Sequence, residues 1–404
     1  MIEYLFLALI GCGLGIVTGI IPGLHVNTVA VIGFGTYASL GLSPLGFVVI
    51  LTALSITHAF LDYLPAIFLG APQEDTALSV LPAHRMFMQG RALEAVKLTA
   101  TGSLLGLTLG LLLFLPALYV IPWLYNASRD FIGYVLIVLV LLLLFHEKVT
   151  KKILWAFLIF LLSGWLGVIA LDKQELLSSS EILFPVFVGL FGMSNLIDSL
   201  KSRVQSVPQD EYVKVDLEPR FISSAFIGAL SGAIIGVLPA ISPSQMGALI
   251  SERFEMDSRN FLVFVSSINT SDAIYSMLAI YTIQNPRSGV AVIAQKVLGG
   301  IDYNEVLLLV GVMAFSAFFA TIAQIEIGKR MSSLVSRIDY RTLCISSLVF
   351  ILSLVYFFTG VFGLMLAVLS TIIGLLPILS GTSRTHLMGV LLIPTILFFL
   401  GIQL

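Results

Sequence analysis

The chain has 404 residues, 58% hydrophobic and 11% charged, with a net charge of −2 and a mean hydropathy of +1.04. A soluble domain carries about 25% charged and about 45–50% apolar residues, so this composition excludes one. Two cysteines, Cys12 and Cys344, both inside apolar runs, exclude a disulfide framework or a thiolate metal site. No HExxH-like spacing and no phosphate-binding P-loop occur among the five histidines and the glycine-rich stretches, and the balanced charge gives no basic footprint for nucleic acid.

Residues 4–61, 98–128, 221–251 and 342–383 contain no Asp, Glu, Lys or Arg at all. Runs of that length fit bilayer-spanning helices, which need about 20 residues each. In chain order the apolar segments fall near 2–21, 24–43, 45–69, 98–124, 131–146, 153–171 and 182–199. They resume near 221–238, 244–250, 260–283, 306–327, 342–358, 361–379 and 386–403. The start, Met1-Ile2-Glu3-Tyr4, lacks the positive region of a signal peptide and reads as a retained membrane segment. The expected fold is an all-α polytopic membrane protein of roughly 10–14 membrane segments, multi-pass in the cell (cytoplasmic) membrane and surrounded by lipid.

The longest polar stretch, 201–219, divides the chain into near-equal parts, 1–200 and 220–404. It reads as a solvated linker between duplicated units. The run Gly15-Ile16-Val17-Thr18-Gly19-Ile20-Ile21-Pro22 recurs as Gly232-Ala233-Ile234-Ile235-Gly236-Val237-Leu238-Pro239, an offset of 217 residues. Asp62 matches Asp272, Gly90 matches Gly300 and Gly164 matches Gly374 at an offset of 210, and Pro185 matches Pro394 at 209. Basic residues mark different loops in the two halves: Lys148, Lys151 and Lys152 in the first, Lys329, Arg330, Arg337 and Arg341 in the second. The positive-inside rule then predicts two repeats of inverted topology, an architecture of secondary transporters with sites at discontinuous helices.

Two Pro-containing breaks carry the first candidate site. Gly19-Ile20-Ile21-Pro22-Gly23-Leu24-His25-Val26-Asn27-Thr28 is matched by Gly236-Val237-Leu238-Pro239-Ala240-Ile241-Ser242-Pro243-Ser244-Gln245. Proline removes a backbone donor, and freed backbone at membrane depth is tolerated only inside protein or beside a water-filled cavity. The small polar residues after each break sit where a new helix begins, and a helix N-terminus suits an anion. Asp62, with His58 one turn before it, and Asp272, with Asn269 three residues before it, lie on apolar segments. Intramembrane ionisable groups mark ion or proton pathways by default, so these four are candidates for coupling to Na⁺ or H⁺; the alternative is helix ends facing water. A polar hairpin from Gly70 through Glu74, Asp75 and Thr76 corresponds to Gln284–Gly289, with Asp75 opposite Asn285. It reads as a second broken element over the site or as a solvated loop. Arg384, after a further break at Pro377, reads as a snorkelling interfacial residue.

These residues resemble the large membrane subunit family of tripartite tricarboxylate transporters. The family's Pro-Gly-Leu-Gly break appears as Gly19-Ile20-Ile21-Pro22-Gly23-Leu24-His25, and its Gly-x-Pro-Gly loop as Gly70-Ala71-Pro72-Gln73. Its next motifs align with Pro82-Ala83-His84-Arg85-Met86, Gly90-Arg91-Ala92-Leu93-Glu94-Ala95 and Leu183-Phe184-Pro185-Val186-Phe187-Val188-Gly189-Leu190-Phe191. His25 replaces the family's last glycine, and the family's Asp-Gly-Tyr-Pro core is replaced, so fold carries over better than substrate. The resemblance implies a permease for a small organic anion such as a di- or tricarboxylate, with a small membrane subunit and a substrate-binding protein as partners. The alternative is a polyprenyl-phosphate translocase, which would use the same paired hairpins for a lipid phosphate. An intramembrane enzyme built on His58, Asp62, Glu74, Asp75 and His84 lacks a nucleophile elbow or metal spacing, and no cofactor is expected.

Overall fold

The computed structural model describes residues 2–22, 26–70, 76–77, 80–128, 131–145, 147, 149–172, 179–200, 208–210, 212–236, 243, 246–247, 250, 256–284, 288–335 and 340–402. Every regular element among them is helical, as lipid demands of a chain that must satisfy its backbone internally. The first part comprises α1 (Ile2–Ile20), α2 (Val26–Leu40), α3 (Pro44–Leu61), α4 (Tyr63–Phe68), α5 (Val80–Met88) and α6 (Ala92–Leu112). It continues through α7 (Phe114–Ser128), α8 (Ile132–Phe145), α9 (Thr150–Asp172), α10 (Ser179–Phe187), a π-helical turn (Val188–Met193) and α11 (Ser194–Ser199). The second part comprises α12 (Pro219–Ile235), α13 (Ser258–Thr282), α14 (Gly289–Leu298), α15 (Tyr303–Val335), α16 (Tyr340–Ser380), a 3₁₀ turn (Arg384–Met388) and α17 (Gly389–Phe399).

Among the described residues seven helices are long and apolar enough to cross a membrane, and the bent pair Phe114–Ala127 and Ile132–Phe145 would make an eighth. Four shorter apolar helices add to them, among them Pro219–Ile235 and Gly289–Leu298. α16 has 41 residues, about 60 Å at ~1.5 Å per residue, twice the ~30 Å hydrocarbon core. Gly360, at φ 63° and ψ −157°, breaks it in the middle. That break falls between the expected segments 342–358 and 361–379, so α16 consists of two span-length pieces. Only glycine adopts this backbone without a steric penalty.

Glycine ladders set the central packing. α1 runs parallel to α3: a Cβ on Gly11 would lie 2.7 Å from Ala53 Cβ, one on Gly15 2.6 Å from Thr57 Cβ, and one on Gly19 2.5 Å from Leu61 Cβ. α12 runs parallel to α13 in the same way, with Gly228, Gly232 and Gly236 against Ser267, Ser271–Asp272 and Tyr275. α6 also lies parallel to α13, its Gly102, Gly106 and Gly110 meeting Ser266, Ser267 and Ser271–Ile274. Between apolar helices in lipid, such small-residue faces let backbones approach and collect dispersion contact where no hydrophobic drive exists.

The two halves are interleaved. First-half α6 packs on second-half α13, and second-half α15 packs on first-half α3. α9 packs on α17 through Gly164 and Gly167 against Ile393 and Val390, and α16 packs on the π turn through Gly374 against Leu190. α6 and α15 run antiparallel where they touch, with Val96 beside Gly328 and Gln324 Nε2 donating to Thr99 Oγ1 at 2.9 Å.

The described part of the polar stretch, 208–210 and 212–218, is a strap rather than a loose linker. Asp210 N–H donates to Gly90 O at 2.8 Å, Gln209 Nε2 donates to Phe87 O at 2.9 Å, and Gln209 Oε1 accepts from Ala92 N at 3.1 Å. Arg259 bridges Glu94 and Glu218, both at 2.9 Å, and its guanidinium lies over the Phe221 ring. The strap thus ties the starts of α6, α12 and α13 together. Lys329 and Arg330, expected in a loop, lie exposed on α15 itself.

Candidate functional site

The first break is a true helix end. α1 closes with Ile21 N–H on Val17 O at 3.2 Å, Pro22 follows, and α2 starts at Val26. The second ends α12 at Ile235, with Gly236 N–H on Gly232 O. Of the expected anion-binding residues, Gly19, Pro22, Asn27 and Gly236 are placed, and Thr28 follows Asn27 on α2. Gly23, His25, Glu74, Asp75, Pro239, Ser242, Ser244, Gln245 and Asn285 lie outside the described residues.

Asn27 brings α2 onto α14. A Cβ on Gly289 would lie 2.7 Å from Asn27 Cγ and Oδ1, so only a glycine at the first position of α14 admits this approach. Ser288 caps α14 by accepting from Ala291 N at 3.2 Å. Val26 and Val290 share one apolar cluster with Phe47, Leu51 and Leu54 of α3. Leu54 is near the middle of the 25-residue span Pro44–Phe68. The two helices therefore start beside each other against α3, one from each half, and their dipoles favour negative charge at that point.

One turn beyond Leu54 begins a buried polar cluster. Thr18 Oγ1 lies 3.2 Å from Gly15 O and shares a hydrogen bond of 3.0 Å with His58 Nδ1. Asp62 is 2% exposed and sits between α3 and α4, its own N–H on His58 O at 2.9 Å. Pro65 accounts for the interruption, since it cannot donate to Leu61 O and crowds that carbonyl. Asn269 of α13 reaches across the halves, Nδ2 lying 3.4 Å from Ala59 O and 3.5 Å from an Asp62 carboxylate oxygen. Both neighbours are acceptors, which fixes the amide with its NH₂ toward them. Asp272, half-buried, accepts from Ser276 Oγ at 3.4 Å.

Of the candidates for ion coupling, Asp62 and Asn269 meet, while His58 lies against Thr18 and Asp272 against Ser276; the register also differs from the sequence match. Gly15 meets Thr57 and the amide of His58, and Gly232 meets Ser271 and the amide of Asp272. The contacts match residues 214 apart, so His58, not Asp62, occupies the position of Asp272, and Asp62 that of Ser276. Gly70 and Gln284, both with positive φ, keep the 214 offset, whereas Gly90 and Gly299 are 209 apart. The difference arises in the turn between them, five residues longer in the first half. Asp62 is also not a water-facing helix end, because it is buried against Asn269.

Arg384 is a second departure from expectation. It is 7% exposed instead of snorkelling, with Nη2 donating to Ser194 Oγ at 2.9 Å and Nη1 to Phe191 O at 3.4 Å. A π turn shifts its hydrogen bonds to i→i+5, and Phe191 within it offers its carbonyl to the guanidinium. Glu147 Oε1 accepts from Ser383 N at 2.9 Å and faces His386 Nε2 at 3.4 Å, closing the same junction. The sequence signals for these features were the GxxxGxxxG spacings at 11–19 and 228–236, sharing the 217 offset, and the Gly-Leu-Phe-Gly run at 189–192.

His84 on α5 packs beside the cluster's supporting helices, 4% exposed, with Nδ1–H donating to Ile67 O at 3.0 Å. Burial pushes its pKa below the usual 6.5, outweighing the upward pull of that carbonyl. The folded state then binds fewer protons than the unfolded one below 6.5, so its stability is complete above that pH and falls as pH drops through the lower folded value. Melting temperature in detergent is expected to decline between neutral and acid pH, less steeply in His84→Gln. Equal slopes in both proteins would remove His84 as the cause.

Residues 5–389 match the Tripartite tricarboxylate transporter TctA family. An uncharacterised protein of Methanocaldococcus jannaschii is 30% identical over 410 residues, covering 99% of this chain and 100% of that protein. No solved structure matches the chain. A family match over nearly the whole length, on a helical chain of bilayer-spanning segments, establishes that the chain belongs to the tripartite tricarboxylate transporter TctA family.

Proposed function

We propose that this chain is the permease component of an ion-coupled secondary transporter in the cell membrane, moving a small di- or tricarboxylate. The observation that carries the reading is the meeting of α2 and α14, whose N-termini adjoin at Asn27 and Gly289 beside α3. Paired positive dipole ends at the midplane, one from each half, are how inverted-repeat transporters hold an anionic substrate. The inverted arrangement is part of the proposal, supported by α6 and α15, which follow the matching turns at Gly90 and Gly299 and run antiparallel. Tripartite systems of this family pair the large subunit with a small membrane subunit and a substrate-binding protein, and those are the proposed partners.

Binding is tested on purified protein by thermal shift against citrate, succinate and a polyprenyl phosphate. A ligand of the native state at about 100 times its Kd stabilises by about 2.7 kcal/mol. Citrate or succinate is expected to raise the melting temperature, and Gly289→Leu, which thrusts a side chain into Asn27, is expected to abolish the shift. A shift with the lipid phosphate alone would replace this reading with a lipid translocase.

A further inference from the structure

We infer that Arg384 holds a carboxylate of the transported acid, at a station separate from the meeting of α2 and α14. This rests on the permease reading above and adds a second binding residue to it. Residues 342–404 contain a single Asp, Glu, Lys or Arg, and it is Arg384. A lone charge among apolar segments is costly to hold and marks a substrate or ion pathway by default.

The guanidinium is buried and only partly used. Arg384 is 7% exposed, with Nη2 donating to Ser194 Oγ at 2.9 Å and Nη1 to Phe191 O at 3.4 Å. Both acceptors are neutral, so neither cancels the charge. Nε is enclosed and has no hydrogen-bond partner among the described residues. None of the salt bridges among those residues includes Arg384. Glu147, at the same junction, turns Oε1 to Ser383 N–H and His386 Nε2. Asp198, one turn after Ser194 on α11, acts on Arg384 through its charge without a salt bridge. A guanidinium stays charged at neutral pH, and its planar fork matches a carboxylate bidentately. Nε–H with a neighbouring Nη–H is such a fork, and Nε–H is the donor left without an acceptor. Ser194 is a positioning residue: its hydroxyl donates to Leu190 O at 2.7 Å and so turns a lone pair to Nη2.

The helices around Arg384 are interrupted on three sides. The π turn Val188–Met193 offers the Phe191 carbonyl, Gly381 at φ 66° follows α16 just before Arg384, and Gly70 at φ 60° follows α4. A Cβ on Gly70 would lie 3.5 Å from the Leu196 side chain of α11, and Ala77 shares an apolar cluster with Phe191 and Leu387. Interrupted backbone in a membrane protein is tolerated where it is buried in protein or lines a cavity, and here three such places gather about one arginine. The cluster of Phe191 and Leu387 shares no residue with the one that joins α2 to α14, which makes the two stations distinct.

The test uses full-length protein with isotope-labelled arginine in lipid nanodiscs, the Arg384 Nε–H signal being identified by its loss in Arg384→Lys. Citrate and succinate are expected to move that signal in a saturable way, and sodium chloride at equal ionic strength to leave it in place. The signal reads wild-type protein, so a poorly folding variant does not decide the matter. In proteoliposomes Arg384→Gln is expected to raise the KM for citrate by about tenfold or more, the loss of a charged hydrogen bond. Arg384→Lys is expected to recover part of that loss, and Ser194→Ala to raise KM less. An Arg384 signal unmoved by citrate that does raise the melting temperature would overturn the inference, leave the permease reading standing and make Arg384 a brace of the π turn. Equal movement with chloride would overturn the assignment to carboxylates. Citrate that neither binds nor enters would overturn the permease reading and the station with it.

Discussion

Gly15→Leu is expected to prevent α1 from seating on α3, whereas Gly13→Leu, two residues away, is expected to leave folding unchanged. A Cβ at Gly15 would lie 2.6 Å from Thr57 Cβ and 2.7 Å from Leu54 O, while one at Gly13 meets nothing within 4 Å and points to lipid. The obstruction at Gly15 is partly backbone, so a rotamer change cannot relieve it. Overpacking of this kind costs about 1–3 kcal/mol and more where the backbone must move. The same substitution also pushes His58 away from Thr18, removing a buried hydrogen bond worth about 1 kcal/mol. The measurement is melting temperature and gel-filtration profile in detergent for both variants beside wild type. Equal loss in the two would mean that α1 does not pack on α3 through this face.

Asp62→Asn and Asp272→Asn are each expected to abolish gradient-driven accumulation of carboxylate. Asp62 is held by Asn269 across the boundary between the halves, and Asp272 by Ser276 within its own helix. An amide at either position keeps the volume and a hydrogen-bonding oxygen but cannot carry charge, so the field that stabilises a bound cation disappears. The reading is uptake into proteoliposomes under an imposed proton or sodium gradient, with the citrate-dependent thermal shift as the control for folding and binding. Unchanged gradient-driven uptake in both variants would reduce these residues to structural polar contacts. Asp62→Asn has the larger expected effect, because Asp62 is buried whereas Asp272 is half-buried.

The sequence by itself determined the class and the composition of the site. Charge-free runs such as 342–383 left only bilayer-spanning helices, since the other structure that satisfies backbone groups in lipid, a closed barrel, alternates polar and apolar residues. The Pro22 break, the intramembrane Asp62 and the family motifs from Gly19 to Phe191 were all legible because proline, charge and glycine act locally, whatever the partner. What only the tertiary structure decided was pairing. The glycine contacts relate residues of α3 and α13 that are 214 apart, not the 210 of the sequence match, and a Gly or Asp match carries no information on the face it presents. Asn269 meeting Asp62, α6 lying on α13 instead of within its own half, and Arg384 turning inward to Ser194 and Phe191 are contacts between residues more than 160 positions apart in the chain. In a chain apolar on nearly every face, hydropathy does not say which side of a helix meets protein and which meets lipid. Close approach of glycine faces and the need to satisfy buried polar groups make that choice, and both depend on atoms far apart in sequence.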